Sequence, residues 1–360
     1  MLALGEVSER QLTQTTHRIH ALPIVVLMPH SRCNCRCVMC DIWKANRDGR
    51  ELSRDDLAPH MAVLRQLHAR WVVLSGGEAL MHSNLWSLCE LLKDLEVRIS
   101  LLSTGLRLKR YAQDITRWCD DVIVSLDGSR DVHNAIRAVP RAYERLEEGV
   151  AALKAIEPTL HVTARCVLQR LNYFDLPRII EAAHRLALYQ LSFLAVDVSS
   201  TAFNRPMPWG DERVAAVALS PNEVRAFEGI VEEMIRSHAD DFTSGFIAES
   251  PEKLRRLPRY FHALNGQGDF PQTVCNAPWV STVIEADGTV RPCFFHRALG
   301  NIHQQSLDAI INSADAVAFR RHLDVTRDPI CRKCVCTLYL DPQQVGSREE
   351  GAQLYRLQEG

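Results

Sequence analysis

The 360-residue chain holds 42 basic and 44 acidic side chains, a formal charge of −2 and 46% hydrophobic residues. This is the balance of an ordinary globular protein, with no basic field for nucleic acid or an acidic membrane surface. No apolar run reaches the ~18–20 residues that span a bilayer, and Glu6, Glu9 and Arg10 interrupt the first twenty residues, so neither membrane insertion nor a signal peptide is expected. Twelve cysteines without an export signal point to the reducing cytoplasm, where clustered thiols bind metal or do redox chemistry rather than form disulfides.

Short apolar segments recur along the first two hundred residues. Strands are expected at 24–30, 71–77, 98–103, 121–127, 160–168 and 190–197, and the first five are each followed by a segment of helical periodicity. Two clear examples are Asn84–Leu92 and Ile179–Leu186. Alternating strand and helix implies a parallel sheet, a barrel or a doubly wound fold, with its site at the carboxyl ends of the strands. Six such units make an incomplete barrel, open on one side.

The loop after the first strand, Cys33-Asn34-Cys35-Arg36-Cys37-Val38-Met39-Cys40, places Cys33, Cys37 and Cys40 at x3, x2 spacing. Three thiolates can hold three irons of a 4Fe–4S cube and leave the fourth iron open. The alternative is part of a zinc site with Cys35 as a fourth ligand, a strained arrangement within eight residues. The second strand ends in Ser75-Gly76-Gly77-Glu78, where two glycines allow close backbone approach and Glu78 offers an acceptor for an ammonium group. Ser103-Thr104-Gly105 ends the third strand and Ser125-Leu126-Asp127-Gly128 the fourth.

Residues 199–215, with two prolines, Trp209 and Gly210, read as a loop. Ser220-Pro221-Asn222-Glu223 and Ser250-Pro251-Glu252 are helix starts. Residues 275–340 form a turn-rich tail bearing Cys275, Cys293, Cys331, Cys334 and Cys336, with a hairpin signal at Ala286-Asp287-Gly288. Cys89, Cys119 and Cys166 lie singly on apolar patterns and read as core residues. His296 reads as a surface residue. No internal repeat is visible.

The Cys33/Cys37/Cys40 triad followed by Gly76-Gly77-Glu78 resembles the radical S-adenosylmethionine (radical SAM) superfamily, and the likeness runs through most of the chain. The resemblance implies a partial (β/α)6 TIM-like barrel and a 4Fe–4S cluster on the triad. It also implies an open iron chelated by the amino and carboxylate groups of S-adenosylmethionine. Met39 then packs near the adenine, while Gly76, Gly77 and Glu78 hold the methionine amino group. Ala79 stands where the family usually has proline. Ser103, Thr104, Ser125 and Asp127 fall where the family contacts ribose and carboxylate. His133 and Arg137 match its segment after the fourth strand, and Arg165 is a carboxylate partner by its bidentate geometry. For Arg137 and Arg165 the alternative is a salt bridge within the barrel.

In the tail, Cys275-x12-Gly288-x4-Cys293 is similar to the opening of the accessory domains called SPASM and twitch. Cys275, Cys293, Cys331 and Cys334 would ligate one auxiliary 4Fe–4S cluster. Because only Cys336 follows, the shorter twitch form with a single cluster is expected; the alternative is a four-cysteine zinc ribbon. The implied organisation is a radical SAM core at 1–215, a helical connection at 216–270, a small cysteine-rich α+β domain at 271–345 and a tail at 346–360.

The implied activity is reductive cleavage of S-adenosylmethionine to a 5′-deoxyadenosyl radical that takes a hydrogen from a substrate, with electrons from a flavodoxin or ferredoxin. Two substrate classes remain: a small polar metabolite, sugar or aminocyclitol-like, oxidised with the auxiliary cluster as acceptor; or a peptide that is crosslinked or epimerised. About 23 residues precede the first strand, too few for a peptide-recognition domain, which favours the small molecule. A non-catalytic iron–sulfur or zinc protein is the third reading. Asp197, Asn204, Arg205, Trp209 and Cys336 are the substrate-contact candidates.

Overall fold

The computed structural model describes residues 2–341, so the expected tail at 346–360 lies outside the described residues. Six parallel strands follow one another in space as they do in the chain: β1 (Ile24–Leu27), β2 (Trp71–Leu74), β3 (Arg98–Ser103), β4 (Asp121–Ser125), β5 (His161–Leu168) and β6 (Gln190–Ala195). Most are covered on both faces, which is why they read as continuous apolar runs. β5 instead alternates, burying Val162, Ala164, Cys166 and Leu168 while Thr163, Arg165 and Val167 are half-buried. The covering helices meet the sheet at helical spacing. Leu85–Lys93 buries Leu85, Leu88, Cys89 and Leu92, and Leu176–Arg185 buries Leu176, Ile179, Ile180 and Ala183. Each such Leu or Ile contributes roughly 1.5–3 kcal/mol.

Two strands stop earlier than the pattern suggests, and each has a local reason. β1 ends at Leu27 because Pro29 has no N–H for the ladder. β2 ends at Leu74 because Gly76 turns with φ +112°. At the barrel's amino-terminal end Arg98 Nε donates to Asp121 Oδ2 at 2.7 Å, joined by Ser100 Oγ at 2.7 Å. This polar plug lies opposite the end that carries the cysteine loop.

Both expected helix starts are present. Ser220 and Glu223 form a reciprocal capping box on Pro221–Ser237, and Ser250 Oγ accepts the Lys253 amide at the start of Pro251–Leu264. The 199–215 stretch differs from expectation: Asp211–Val217 is helical, capped by an extended Gly210 and carrying Asp211 and Glu212 in its first turn, where they favour the helix dipole.

The tail joins the same sheet. β7 (Ser281–Ile284) pairs parallel to β1, from Ile24 opposite Ser281 to Leu27 opposite Ile284. It turns at Gly288, φ +80°, into the antiparallel β8 (Thr289–Arg291), and β9 (Gly300–Asn301) completes the edge. The order is β6-β5-β4-β3-β2-β1-β7-β8-β9. Among the described residues no helix is long and apolar enough to cross a membrane.

Candidate functional site

The cysteine loop leaves β1 and is closed at its base by a bridge between His30 and Glu51. Asn46 straps it from within, accepting the Cys33 amide and donating to the Cys33 carbonyl, both at 2.9 Å. The amides of Arg36 and Val38 donate to the carbonyls of Arg137 and Ile136 at 3.1 Å. These carbonyls end the helix Arg130–Arg137, where they lack intrahelical partners. The Arg137 guanidinium lies 3.5 Å from Cys37 Sγ and pairs with Asp127. A hydrogen bond from Cys35 pulls the Cys37 thiol down to about 7, with Arg137 assisting and burial opposing. Burial pushes Cys40 up to about 12, against the Ile42 amide 3.5 Å from its sulfur. Cys35 is buried and raised by hydrogen bonds to Cys33 and Cys37.

The Gly-Gly-Glu turn packs on this loop. A Cβ at Gly77 would sit 2.1 Å from the Arg32 carbonyl oxygen, and the Glu78 amide donates to that oxygen at 2.9 Å. Glu78 is 1% exposed. Its carboxylate accepts the Thr104 amide (2.7 Å), the Thr104 hydroxyl (2.6 Å), Ser103 Oγ (3.0 Å) and the Leu80 amide (3.2 Å). Burial still raises its pKa above the ordinary range. Thr104 Oγ1 also lies 2.9 Å from Asn34 Oδ1 in the cysteine loop, a link with no signal in the sequence.

Arg137 does form the salt bridge held open as its alternative. Asp127 is wholly buried, its Oδ1 accepting the Val167 amide at 2.8 Å, and the Asp127 amide donates to His133 Nδ1 at 3.1 Å. Ser125 ends β4 in register with Arg165, which lies half-buried midway along β5. Arg165 sits in the field of Glu249 and Lys253, neither singled out from sequence. Burial raises the Glu249 carboxyl, which accepts the Phe193 amide at 3.0 Å, and burial lowers Lys253.

Asp197, Arg205 and Trp209 form a clasp on the cysteine loop. Arg205 is 4% exposed, donating to Asp197 Oδ2 (2.7 Å), Asp197 O (3.0 Å) and the Met39 carbonyl (3.2 Å). Trp209 is stacked between Arg205 at 3.9 Å and Arg213 at 4.2 Å, and its Nε1 donates to Asp41 at 2.8 Å. Asp41, the residue after Cys40, also takes Arg213 (2.6 Å) and Lys44 (3.0 Å). Burial opposes ionisation of Asp41, yet Trp209, Lys44 and Arg213 hold its carboxyl below the usual range. The sequence signal for Asp41 was only its adjacency to Cys40.

In the tail, Cys331 and Cys334 each lie in the field of Cys275 and Cys293, and the exposed Cys336 adds to the field at Cys275, Cys293 and Cys334. Backbone amides reach three of these sulfurs: Ala277 and Leu338 at Cys275, Phe295 and His296 at Cys293, Cys336 at Cys334. His296 is not a surface residue; its ring is buried beside Cys331. Cys89, Cys119 and Cys166 are buried as expected.

Both thiol sets suit iron–sulfur groups. The first lies on one loop and the second on three segments of the tail, and positive charge or amide N–H reaches sulfurs of both. A cavity of about 750 Å³ takes walls from residues next to both sets: Ile42 and Lys44 just after Cys40, Phe203 and Asn204 after β6, and Phe294 and Phe295 just after Cys293. Phe203 and Asn204 are both left-handed, φ +60° and +61°, a strain characteristic of functional loops.

Residues 27–200 match the model of the radical SAM superfamily, and residues 275–335 match that of SPASM, an iron–sulfur cluster-binding domain. The chain therefore belongs to the radical SAM superfamily and carries a SPASM-type region, with 4Fe–4S clusters and S-adenosylmethionine as its cofactors. A probable GTP 3′,8-cyclase of Methanococcus maripaludis is 30% identical over 129 residues, covering 35% of this chain and 43% of that protein. The chain thus spans less than half of that relative's length. The corresponding protein of Thermococcus kodakarensis is 28% identical over 209 residues, 54% of this chain and 66% of its own. Mycofactocin maturase MftC of Mycolicibacterium smegmatis is 30% identical over 112 residues, 29% of this chain and 28% of its own. Among solved structures, SuiB of Streptococcus suis bound to precursor peptide SuiA has a TM-score of 0.61 at 13% identity, covering 91% of this chain and 73% of that one. Native anSMEcpe with bound AdoMet has a TM-score of 0.61 at 18% identity, covering 92% and 95%. These two likenesses concern the fold.

Proposed function

We propose that Cys33, Cys37 and Cys40 hold the S-adenosylmethionine-binding cluster and that Cys275, Cys293, Cys331 and Cys334 hold a single auxiliary cluster. The protein then acts as an oxidoreductase on a substrate bound between them. The observation that carries this reading is the cavity, which draws its walls from both cysteine segments. When loaded, the first site supplies reductive cleavage of S-adenosylmethionine and the radical that takes one hydrogen atom from the substrate. Cys275, Cys293, Cys331 and Cys334 would hold a group able to accept the substrate's remaining electron, with the proton going to a base, for a net two-electron oxidation. A ferredoxin- or flavodoxin-type carrier would be the external electron partner.

The chain's own residues bind and shield. Gly76 and Gly77 would offer backbone carbonyls to an ammonium, with the buried Glu78 fixing the turn through Ser103, Thr104 and Leu80; Ser125 and Arg165 would meet a carboxylate, and the Arg205 clasp fixes the Met39 carbonyl that leads into Cys40. Paired charges at the cavity, Arg50 with Asp287 and Arg291 with Glu285, stand beside its aromatic wall. A small polar metabolite fits the first feature. The second reading, a peptide substrate, is favoured by the aromatic cluster of Phe203, Phe294 and Phe295, whose rings meet edge-on at 5.0–6.3 Å. Such a wall suits a side chain presented from a peptide.

Anaerobically reconstituted protein should bind about eight irons and form 5′-deoxyadenosine under dithionite. Zinc without iron, or no cleavage, refutes the reading. Cys33→Ala should abolish cleavage, whereas Cys275→Ala should keep cleavage and lose substrate turnover. Deuterium transfer into 5′-deoxyadenosine from labelled metabolites or labelled peptides separates the two substrate classes.

A further inference from the structure

One buried imidazole in the tail has no part in the scheme above. The His296 ring is 5% exposed, and its Nε2 lies 3.3 Å from Cys331 Sγ. Phe319 meets the ring in a T-shaped contact at 5.0 Å, and Arg291 Nη1 donates to the His296 carbonyl at 3.0 Å, so the ring is held at that sulfur. The third group at this point is Asp328, whose Oδ1 is 4.0 Å from His296 Nε2. That same oxygen accepts the amides of Ile330 and Cys331, each at 2.9 Å, and so fixes the turn that presents the sulfur. Cys275, Cys293 and Cys334 draw hydrogen bonds from backbone amides. Cys331 instead meets two side chains, His296 Nε2 at 3.3 Å and the Asp328 carboxylate, which accepts from its thiol.

We infer that His296 is a positioning residue for electron transfer: its Nε2–H donates to the Cys331 sulfur and raises the reduction potential of the auxiliary centre. The inference rests on the reading of the tail as an iron–sulfur site. A donor aimed at a cluster-bound thiolate stabilises the reduced state, which carries one more negative charge, over the oxidised one. The Asp328 carboxylate beside the same sulfur acts in the opposite sense, so removing the imidazole leaves an acidic neighbour uncompensated. Raising the potential would make the auxiliary centre a better acceptor for the substrate's electron.

The test uses the full chain with Cys33, Cys37 and Cys40 replaced by Ala, so that only the tail centre titrates. An EPR-monitored redox titration should show His296→Phe lowering the reduction equilibrium at least tenfold, about 59 mV for one electron. His296→Gln, which keeps an N–H donor, should recover part of the shift. In the parent labelled with histidine carrying ¹⁵N in the imidazole ring only, a weakly coupled nitrogen is expected. An unmoved potential in His296→Phe overturns the inference, as does a strongly coupled nitrogen, which would make His296 an iron ligand. The labelled parent remains decisive even if both variants fail to assemble a centre, because absence of any coupling refutes the bond. A parent that binds no tail iron refutes the underlying reading; a parent with iron but no His296 effect refutes this inference alone.

Discussion

Replacing Arg205 by Met tests whether the clasp after β6 holds the cysteine loop. The Arg205 side chain is wholly buried in its ion pair with Asp197. Met keeps much of the volume and removes the charge, leaving Asp197 with Ser199 N (3.2 Å), Ser199 Oγ (3.4 Å), Ser200 N (3.3 Å) and the Ser200 hydroxyl. Breaking a buried pair on one side costs about 3–5 kcal/mol. The lost hydrogen bond to the Met39 carbonyl adds about 1 kcal/mol, and the lost stacking on Trp209 another ~1–2 kcal/mol. These terms overlap, and the four surviving donors to Asp197 reduce the first, so a total of about 3–5 kcal/mol is expected. Urea unfolding of the metal-free protein should show it as a lower midpoint at unchanged slope. Adding Asp197→Asn removes the uncompensated charge, and the double variant should be more stable than Arg205→Met by at least ~1 kcal/mol. A loss below about 1 kcal/mol, or additive effects of the two substitutions, would show that the pair is not buried as described. The Met39 carbonyl supplies the second readout: reconstituted Arg205→Met should retain less iron at the first cysteine loop than at the tail.

Three further substitutions probe the neighbouring parts. Gly77→Ala drives a methyl to 2.1 Å from the Arg32 carbonyl oxygen, a backbone clash that costs about 1–3 kcal/mol; urea unfolding should detect it, and reconstitution should give less iron on the first loop. Cys35→Ala should leave the iron stoichiometry of that loop unchanged by iron assay, whereas loss of iron would place Cys35 among the ligands. Burial, with Arg137 adding to it, holds the His133 pKa well below 6.5, so below pH 6.5 the unfolded chain takes up a proton that the folded chain refuses. The contribution is therefore complete above the unfolded pKa and declines as pH falls through it. Between pH 7.0 and 5.5 the wild type should lose more stability than His133→Gln; equal losses would refute a neutral buried imidazole.

The strands were legible because burial on both faces writes them as uninterrupted apolar runs, and the long helices because their caps are spelled out at Ser220 and Ser250. The cysteine spacings and the Gly-Gly-Glu turn were legible for a different reason: close backbone approach tolerates few residue types. What stayed hidden was pairing between distant segments. Nothing in Ser281–Ile284 announces β1 as its partner, since a four-residue apolar strand fits many edges. Asp41 looked like one more acidic residue until Trp209, Arg213 and Lys44 met on it. His296 followed two phenylalanines in a segment without strict alternation, so its side could not be read. The Asp211 helix hid behind Pro206, Pro208 and Gly210, residues that usually mark a loop but here stand just before its first turn.

The pairing of β7 with β1 bears on the proposed electron path. The first cysteine loop grows from the end of β1, and the hairpin that leads to Cys293 grows from the end of β7, its immediate neighbour. Adjacent parallel strands in a hydrogen-bonded sheet resist sliding, because a one-residue slip would turn Leu27 and Ile284 from the core. The separation of the two thiol sets is thus set by sheet register rather than by a linker. The strained Phe203–Asn204 segment crosses the space between them, touching Phe294 and Phe295 on one side and, through Asn204 Nδ2 and the Asp41 carbonyl at 3.4 Å, the cysteine loop on the other. A substrate entering the cavity would press on that segment while both thiol sets stay fixed. Selection among substrates then falls to Thr201, Ala202 and Phe203, and substitutions there should change which compound is turned over while leaving iron content at both sites intact.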